Sequence, residues 1–331
     1  MLAILIILFI FKAYSLNARF LVSEYRYFIM VGLIAVILTI LFSQFDPSQI
    51  HVGRFPAINE WNAKILKLEF PYGSSTNPSG FPFLFILAMP FYLLGDVGFL
   101  QSFSFVVFAF VLYLLWPNDM MKRIRCLILL LAAPPFMYEI SVRSELFSNM
   151  SLIILFLTLL ELHKDWGRPL HSAVFGFAGG LLLSTRGIVF LIYIIFLGFA
   201  LRTKPLKRLI FVLSLIGGFL LTILPFAIWN FECFKSHGPF AIQISYIPIW
   251  LLVVATIISI VAAIKIRSLK QTYVATVLAL GGVIMTVFVL SMVKNGLYNA
   301  VRGDEFDISY FCFVLPFLLI AWSLPEENWV S

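Results

Sequence analysis

Charged residues are scarce in this chain. Only 12% of its 331 residues are Asp, Glu, Lys or Arg, whereas 62% are hydrophobic, and the mean hydropathy is +1.02. A soluble protein needs a charged surface that this composition does not supply, so the sequence excludes a soluble globular fold. We therefore predict an all-α, polytopic transmembrane helical bundle that forms one domain over residues 1–331.

Cysteine is scarce as well. Cys126, Cys233 and Cys312 are odd in number and widely spaced along the chain, which excludes a disulfide framework and a zinc site built on cysteine. His51 and His237 come without a matching pattern of carboxylates, so we predict no metal. We expect no other cofactor.

The basic residues do not indicate a nucleic-acid partner. The formal net charge is +7, but its Lys and Arg residues lie mostly in short loops beside apolar runs. This is the distribution that the positive-inside bias produces in membrane proteins. The partner that the charge indicates is the lipid bilayer.

About eleven apolar runs are of spanning length or nearly so. They fall at about 1–15, 28–45, 97–116, 126–141, 148–162, 170–185, 187–201, 209–229, 246–264, 272–293 and 309–323. Each is a candidate transmembrane helix. The first run lacks a basic segment before its apolar core, so we interpret it as an uncleaved helix rather than a signal peptide.

The longest polar stretch is residues 44–83, QFDPSQIHVGRFPAINEWNAKILKLEFPYGSSTNPSGFPF. We predict a large external loop at 46–96 that carries juxtamembrane helices. The apolar run 80–95 within it is short and contains Pro82 and Pro90. Since proline breaks the hydrogen-bond ladder that a lipid-exposed span must complete, we interpret this run as a juxtamembrane or re-entrant helix.

Charge counting does not decide whether run 80–95 spans, because both arrangements leave the same number of basic residues inside. Acidic residues provide a second criterion. If the run does not span, the loop shares the outer side with 142–149, 231–245 and 294–307, and most acids of the chain meet there. We favour this arrangement because a single polar site can then form.

Four segments in a fixed order resemble a known family. AKILKLEFPYG and NPSGFPFLFILAMPFYLLGD are followed by RSELFSN and then by FGFAGGLLLSTRG. Over about residues 28–190 this order is similar to the amino-terminal half of the GT-C membrane glycosyltransferases. The resemblance implies a GT-C-like module at 28–190, with a catalytic Asp or Glu in the external loop.

The resemblance also implies the reaction. The expected donor is a polyprenyl-phosphate-linked sugar, and the acceptor is a glycan, a lipid or a protein at the non-cytoplasmic face. The expected location is the bacterial inner membrane, with the endoplasmic reticulum membrane as the alternative.

Such a transfer needs a carboxylate that takes the acceptor's proton. Many members of the family carry an acid about where Arg54 stands here, and the nearest acids in this chain are Asp46 and Glu60. Asp46 fits the family's placement of an acid just after a helix. We therefore favour Asp46 as the general base and keep Glu60 as the second candidate.

The transfer also needs cations that stabilise the leaving phosphate. The planar fork of arginine meets phosphate oxygens in a bidentate manner. Arg143 is the best placed, and Arg54 and Arg302 are the next candidates. Arg186, between two apolar runs, is a minor candidate because charge at membrane depth is functional by default.

Four further residues are candidates for substrate binding. Glu145 and Asn149 lie four apart, so on a helix they share a face and could hold Arg143 or a sugar hydroxyl. Trp61 and Tyr72 could stack on a sugar. Structural alternatives exist for both pairs, namely an interfacial ion pair and ordinary interfacial aromatics.

Three other functions remain open. A lipid-linked oligosaccharide polymerase or ligase would rely on arginines in later loops, whereas the largest loop here is early. A lipid or sugar transporter commonly has two related halves, and the sequence has no internal repeat. A non-catalytic partner subunit would use the long loop to dock another protein.

Overall fold

The computed structural model describes residues 24–50, 54–76, 78–163, 168–203, 207–303 and 306–325. Within these ranges the chain folds into helices and has no strand, and one isolated bridge pairs Arg302 with Asp307. The predicted all-α class is confirmed. The first apolar run, 1–15, and His51 lie outside the described residues.

The helices follow one another with short connections. In chain order they are α1 (Glu24–Ser43), α2 (Arg54–Leu66), α3 (Pro82–Leu93), α4 (Phe99–Leu115), α5 (Met120–Ala132), α6 (Pro134–Val142), α7 (Leu146–Leu162), α8 (Pro169–Leu183), α9 (Val189–Thr203), α10 (Arg208–Trp229), α11 (Phe231–His237), α12 (Pro239–Tyr246), α13 (Ile249–Lys265), α14 (Leu269–Arg302) and α15 (Leu315–Ser323). Short 3₁₀ helices cover Pro47–Ile50 and Ile308–Phe313.

Local sequence signals fix several helix starts. Proline begins α3, α6, α8 and α12, where its missing N–H costs no intrahelical bond. The Asp119 carboxylate caps α5 by accepting a hydrogen bond from the Lys122 backbone N–H at 2.9 Å. These signals place the loops, and hence the polar residues, at defined helix ends.

Several helices suit a membrane. α1, α10 and α14, of 20, 22 and 34 residues, are long and apolar enough to cross one, and α14 is kinked at Gly296, where φ is 82° and ψ is 161°. Large apolar side chains remain exposed on α10, where Leu213 and Ile228 are 58% and 81% exposed. Such surfaces are unusual in water and ordinary in lipid. The shorter apolar helices leave the predicted count of about eleven spans as a prediction.

One predicted run is broken. The run 126–141 divides into α5 and α6, which meet at an angle of 64°. Pro134 offers no N–H to continue α5, and the residue before a proline avoids helical angles, as the φ of −75° and ψ of 119° at Ala133 show. The run therefore forms two helices, which together are apolar enough for one broken span, and its crossing of the membrane stays a prediction.

The backbones of α8 and α10 approach each other very closely. A Cβ atom at Gly180 would lie 2.0 Å from the Leu215 carbonyl oxygen, and one at Gly218 would lie 2.4 Å from that of Phe177. Only glycine permits this approach of two backbones. The contact fixes the turn after α8, which carries Arg186.

Both ends of run 80–95 return to one place. Before α3, the Ser79 hydroxyl accepts a hydrogen bond from Arg186, the ion-pair partner of Glu145. After α3, the Asp96 carboxylate pairs with Arg143. Arg143 and Glu145 are two residues apart, so their Cα atoms lie at most about 7 Å from each other. The two ends of the run therefore lie at the same end of the bundle.

The length of α3 agrees with this geometry. Its 12 residues rise about 18 Å at about 1.5 Å per residue. The hydrocarbon core of a bilayer is about 30 Å thick. A helix of this length does not cross it alone.

Candidate functional site

Three arginine–carboxylate pairs lie at one end of the bundle and join segments that are distant in sequence. They are Arg54–Asp307, Arg143–Asp96 and Arg186–Glu145. The structure thereby brings together the loop 46–96, the 142–149 stretch and the chain around 307, which we expected on one side. The 231–245 stretch joins them through Gln243, whose amide donates to the Ser79 carbonyl oxygen at 2.5 Å.

Arg54 is held from several sides. Its guanidinium lies 2.5 Å from the Asp307 carboxylate, donates to the hydroxyls of Ser144 and Ser309, and covers the Tyr310 ring at 4.7 Å. Asp307 is 3% exposed and also accepts from Ser309. Through these contacts Arg54 joins the first loop to the 142–149 stretch and to the chain around 307.

Arg143 is also held by several protein groups, and its Nε atom is buried without a hydrogen-bond partner among the described residues. It donates to the Asp96 carboxylate at 2.7 Å and to the carbonyl oxygens of Phe42 and Phe45 at 3.0 and 2.9 Å. Its backbone has a φ of 51°, in the left-handed region that residues other than glycine rarely adopt. Glu145, which we considered as its partner, binds Arg186 instead.

Arg186 lies in the turn between α8 and α9. Its guanidinium pairs with Glu145, which is 1% exposed, and donates to the Ser79 hydroxyl at 2.7 Å. The Ser144 hydroxyl lies 3.5 Å from the other Glu145 oxygen. The Arg186 Nε atom is buried and has no hydrogen-bond partner among the described residues.

A cavity of about 540 Å³ opens beside this pair. Its walls come from α8 to α10, α12 to α14 and the chain around 306–313, and they are mainly aliphatic and aromatic. Arg186, Ser79, Gln243, Tyr310 and Thr256 supply polar groups. No acid from the described residues lines it. An apolar chamber with few polar groups and one cation suits an amphiphile with an anionic group.

Arg186 holds a more prominent place in this site than its sequence context indicated, since the sequence made it only a minor candidate. The signal was present, because a charge between two apolar runs is uncommon in a membrane protein. Ser79 and Gln243 carried no such signal. Their placement beside Arg186 depends on the folding of three separate loops.

The two candidate bases lie in different surroundings. Asp46 is exposed, just beyond the end of α1, and accepts from Gln49 at 3.3 Å. Glu60 accepts from the Thr76 hydroxyl at 2.6 Å and lies 3.6 Å from the Lys64 ammonium. Partial burial acts to raise the pKa of Glu60, but the Thr76 bond and the Lys64 charge outweigh it and lower the pKa. A carboxylate stabilised in this way is a weaker base.

Trp61 and Tyr72 are occupied by protein contacts. The Trp61 ring is 1% exposed and stacks on Phe85 with centroids 4.7 Å apart. Tyr72 is 2% exposed, and its hydroxyl donates to the Gly80 carbonyl oxygen at 3.1 Å. The structure assigns both rings to packing of the loop 46–96 rather than to stacking on a sugar.

The remaining candidates lie apart from the cavity. Asn149 is buried in the first turn of α7, and its side-chain amide makes no hydrogen bond with the described residues. Arg302 is exposed at the end of α14, with its guanidinium 5.7 Å from the Tyr298 ring. Neither residue lines the cavity.

No group of three or more His, Cys, Asp or Glu residues that could hold a metal occurs in the part of the chain that the structure describes. No protein-family model matches the chain, and searches of curated proteins and of solved structures return no significant match.

Proposed function

We propose that this chain is a multi-pass membrane glycosyltransferase of the GT-C type, which transfers a sugar from a polyprenyl-phosphate donor to an acceptor. The observation that carries the proposal is the apolar cavity whose polar end holds Arg186. The proposed location is the bacterial inner membrane, with the endoplasmic reticulum membrane as the alternative. A glycan, a lipid or a protein serves as the acceptor at the non-cytoplasmic face.

The cavity supports a lipid donor in two ways. Its apolar walls suit the first isoprene units of the tail, since apolar pockets bind apolar groups by excluding water. Its lining includes the cation Arg186, which suits a phosphate oxygen because hydrogen bonds between charged partners are the strong ones. In this proposal the phosphate lies at Arg186, rather than at Arg143 as the sequence favoured.

The reaction then proceeds as an inverting displacement. The acceptor oxygen attacks the anomeric carbon, the bond from that carbon to the phosphate oxygen breaks, and the acceptor proton passes to Asp46. Charge builds up on the departing phosphate, and Arg186 stabilises it. Asp46 is the proposed base because it is an exposed carboxylate at the helix end. It does not line the cavity, so the proposal requires the reacting carbon to lie between Arg186 and Asp46. The Thr76 hydrogen bond and the Lys64 charge make Glu60 the weaker base.

Charge at the cavity favours this donor over that of an oligosaccharide polymerase or ligase. Arg186 is the one cation among the described lining residues, and Glu145 already pairs with it. A sugar phosphodiester carries a single negative charge, whereas a diphosphate-linked donor carries at least two, so the phosphodiester leaves less negative charge uncompensated beside this pair. The phosphodiester therefore fits better.

The outer position of the first loop is testable. We expect a cysteine introduced at Ser75, which is exposed, to react with a membrane-impermeant maleimide added from the non-cytoplasmic side. Exposed Asn118, between α4 and α5, is the matched cytoplasmic control. The background has Cys126, Cys233 and Cys312 replaced. Labelling of position 75 only from the cytoplasm contradicts the arrangement and, with it, the proposed common site.

The assignment of the phosphate to Arg186 is testable by a conservative change. We expect Arg186→Lys to weaken binding of polyprenyl phosphate by about tenfold or more, because the planar fork is lost although the charge remains. The measurement is equilibrium binding to the reconstituted protein, with transfer of sugar as a second readout.

Arg143→Lys is the matched comparison, since the Arg143 guanidinium donates hydrogen bonds to two backbone carbonyl oxygens and to the Asp96 carboxylate. We expect that variant to keep its affinity for the lipid phosphate. Loss of affinity in Arg143→Lys with full affinity in Arg186→Lys would return the phosphate to Arg143. A double variant, Arg186→Met with Glu145→Gln, removes both charges and tests the site without leaving a buried charge unpaired.

A further inference from the structure

We infer that helix α12 is a lateral gate of the cavity and that Gln243 holds it closed. The inference rests on the proposed function in one respect, namely that the molecule passing the gate is a lipid phosphate. The contacts around α12 that define the gate involve no ligand.

α12 forms one wall of the cavity, to which it contributes Pro239, Phe240 and Gln243. This wall is thin, because α12 has only eight residues. Phe240 remains 46% exposed although it packs edge-on against Phe81 at 4.8 Å. A short helix whose large Phe240 side chain is half exposed separates from the rest of the protein at lower cost than a long, fully buried one.

Gln243 makes the polar ties of this wall. Its carbonyl oxygen accepts from the Gly187 backbone N–H at 2.8 Å, and its NH₂ group donates to the Ser79 carbonyl oxygen at 2.5 Å. Both partners adjoin the Arg186 site, because Gly187 follows Arg186 and the Ser79 hydroxyl accepts from it. The Gln243 side chain thus joins α12 to the polar end of the cavity.

The two ends of α12 are suited to hinge motion. Gly238 precedes it with extended angles, φ −77° and ψ 175°. A Cβ atom there would lie 2.0 Å from the Phe234 carbonyl oxygen, so this joint requires glycine. Ile247 follows with φ −122° and ψ 125°, and Pro248 comes next. Extended joints on both sides let a short helix swing as a rigid piece.

The position of α12 makes the opening a lateral one. The next helix, α13, begins with Ile249 and Trp250, which are 67% and 58% exposed, and apolar residues with such exposure suit contact with lipid. A long isoprenoid chain cannot lie wholly within about 540 Å³, so its tail has to leave between helices. Displacement of α12 provides that passage beside the site of the phosphate.

A reporter inside the cavity tests the gate without reference to catalysis. Thr256 lines the cavity from α13, and in the thiol-free background Thr256→Cys places a single thiol there. The measurement is the rate at which a lipid-soluble maleimide modifies this thiol in phospholipid vesicles. Adding Gln243→Ala removes two hydrogen bonds, so we expect the rate to rise by about tenfold or more.

Ser245→Ala is the matched control, because Ser245 lies on the same helix and its hydroxyl donates to the Ile242 carbonyl oxygen within that helix. We expect no change in the rate there. A cysteine pair at Gly187 and Gln243 provides the opposite change: its disulfide should slow modification, and reduction should restore it. Equal rates in Gln243→Ala and the parent protein, or a disulfide without effect, overturn the gate.

Polyprenyl phosphate then separates the two proposals. Faster association and dissociation of this lipid in Gln243→Ala supports both the gate and the lipid site. If the thiol shows gating but the lipid does not bind to any variant, the gate stands and the proposed function fails.

Discussion

Replacing Asp46 by Asn is expected to reduce the rate of sugar transfer by about 10²–10⁴-fold, the usual cost of losing a positioned base. Asn keeps the shape of the side chain but cannot take the acceptor's proton. The exposed position of Asp46 beyond α1 makes a folding defect a poor explanation for such a loss. The measurement is the initial rate with the reconstituted protein and a polyprenyl-phosphate-linked sugar.

Glu60→Gln is the matched control for this experiment. Glu60 is held by Thr76 and Lys64, so we expect a much smaller effect on transfer. Binding of the donor should be unchanged in both variants. If Glu60→Gln abolishes transfer while Asp46→Asn retains it, the base is Glu60. If neither variant changes transfer, the loop has another role, such as docking a partner protein.

The second large effect is expected on stability, from the Arg54–Asp307 pair. Asp307→Asn leaves the guanidinium of Arg54 without its charged partner in a site where the two side chains are 11% and 3% exposed. Breaking such a pair from one side costs about 3–5 kcal/mol. This is a large share of the about 5–15 kcal/mol by which folded domains are stable. The measurement is the unfolding midpoint in detergent, taken with and without lipid.

A double variant separates the stability contributed by the ion pair from the cost of leaving one of its charges unpaired. Replacing both partners, as in Arg54→Met with Asp307→Leu, removes both charges, so we expect it to be more stable than either single variant. Arg302→Met is the matched control, because Arg302 is exposed and its loss should have little effect. Single variants as stable as the parent protein would show that the pair contributes nothing to folding.

The sequence predicted most of the helices, because apolar runs of spanning length have few other structures open to them in lipid. Pro82 and Pro90 correctly indicated that 80–95 is a short helix. The bend between α5 and α6 was not predicted, although Pro134 and Pro135 were visible. Proline is tolerated in many membrane helices, so its presence alone does not predict a bend of 64°.

The candidate site was less predictable, for a physical reason. Arg54, Arg143 and Arg186 offer the same chemistry, and their sequence contexts do not state which of them lies at a cavity. Each pairs with a carboxylate, namely Asp307, Asp96 and Glu145, but of the three Arg186 alone lines the cavity. Only the packing of distant segments makes that distinction.

The burial of Trp61 and Tyr72 illustrates the same limit. An aromatic ring in a polar loop suits a sugar, a membrane interface or a small core equally well. The choice depends on whether the loop folds against a helix far away in sequence. Here Phe226 of α10 packs against both rings, with centroids 5.5 and 6.1 Å away.

The Arg54–Asp307 pair also constrains biosynthesis. Its members are separated by 253 positions, and a ribosome adds about 5–20 residues per second. Arg54 therefore emerges roughly 10–50 s before its counterion exists. During that interval the first loop needs water, lipid headgroups or a chaperone around this charge, and its final docking is among the last events after synthesis reaches the carboxyl-terminal helices.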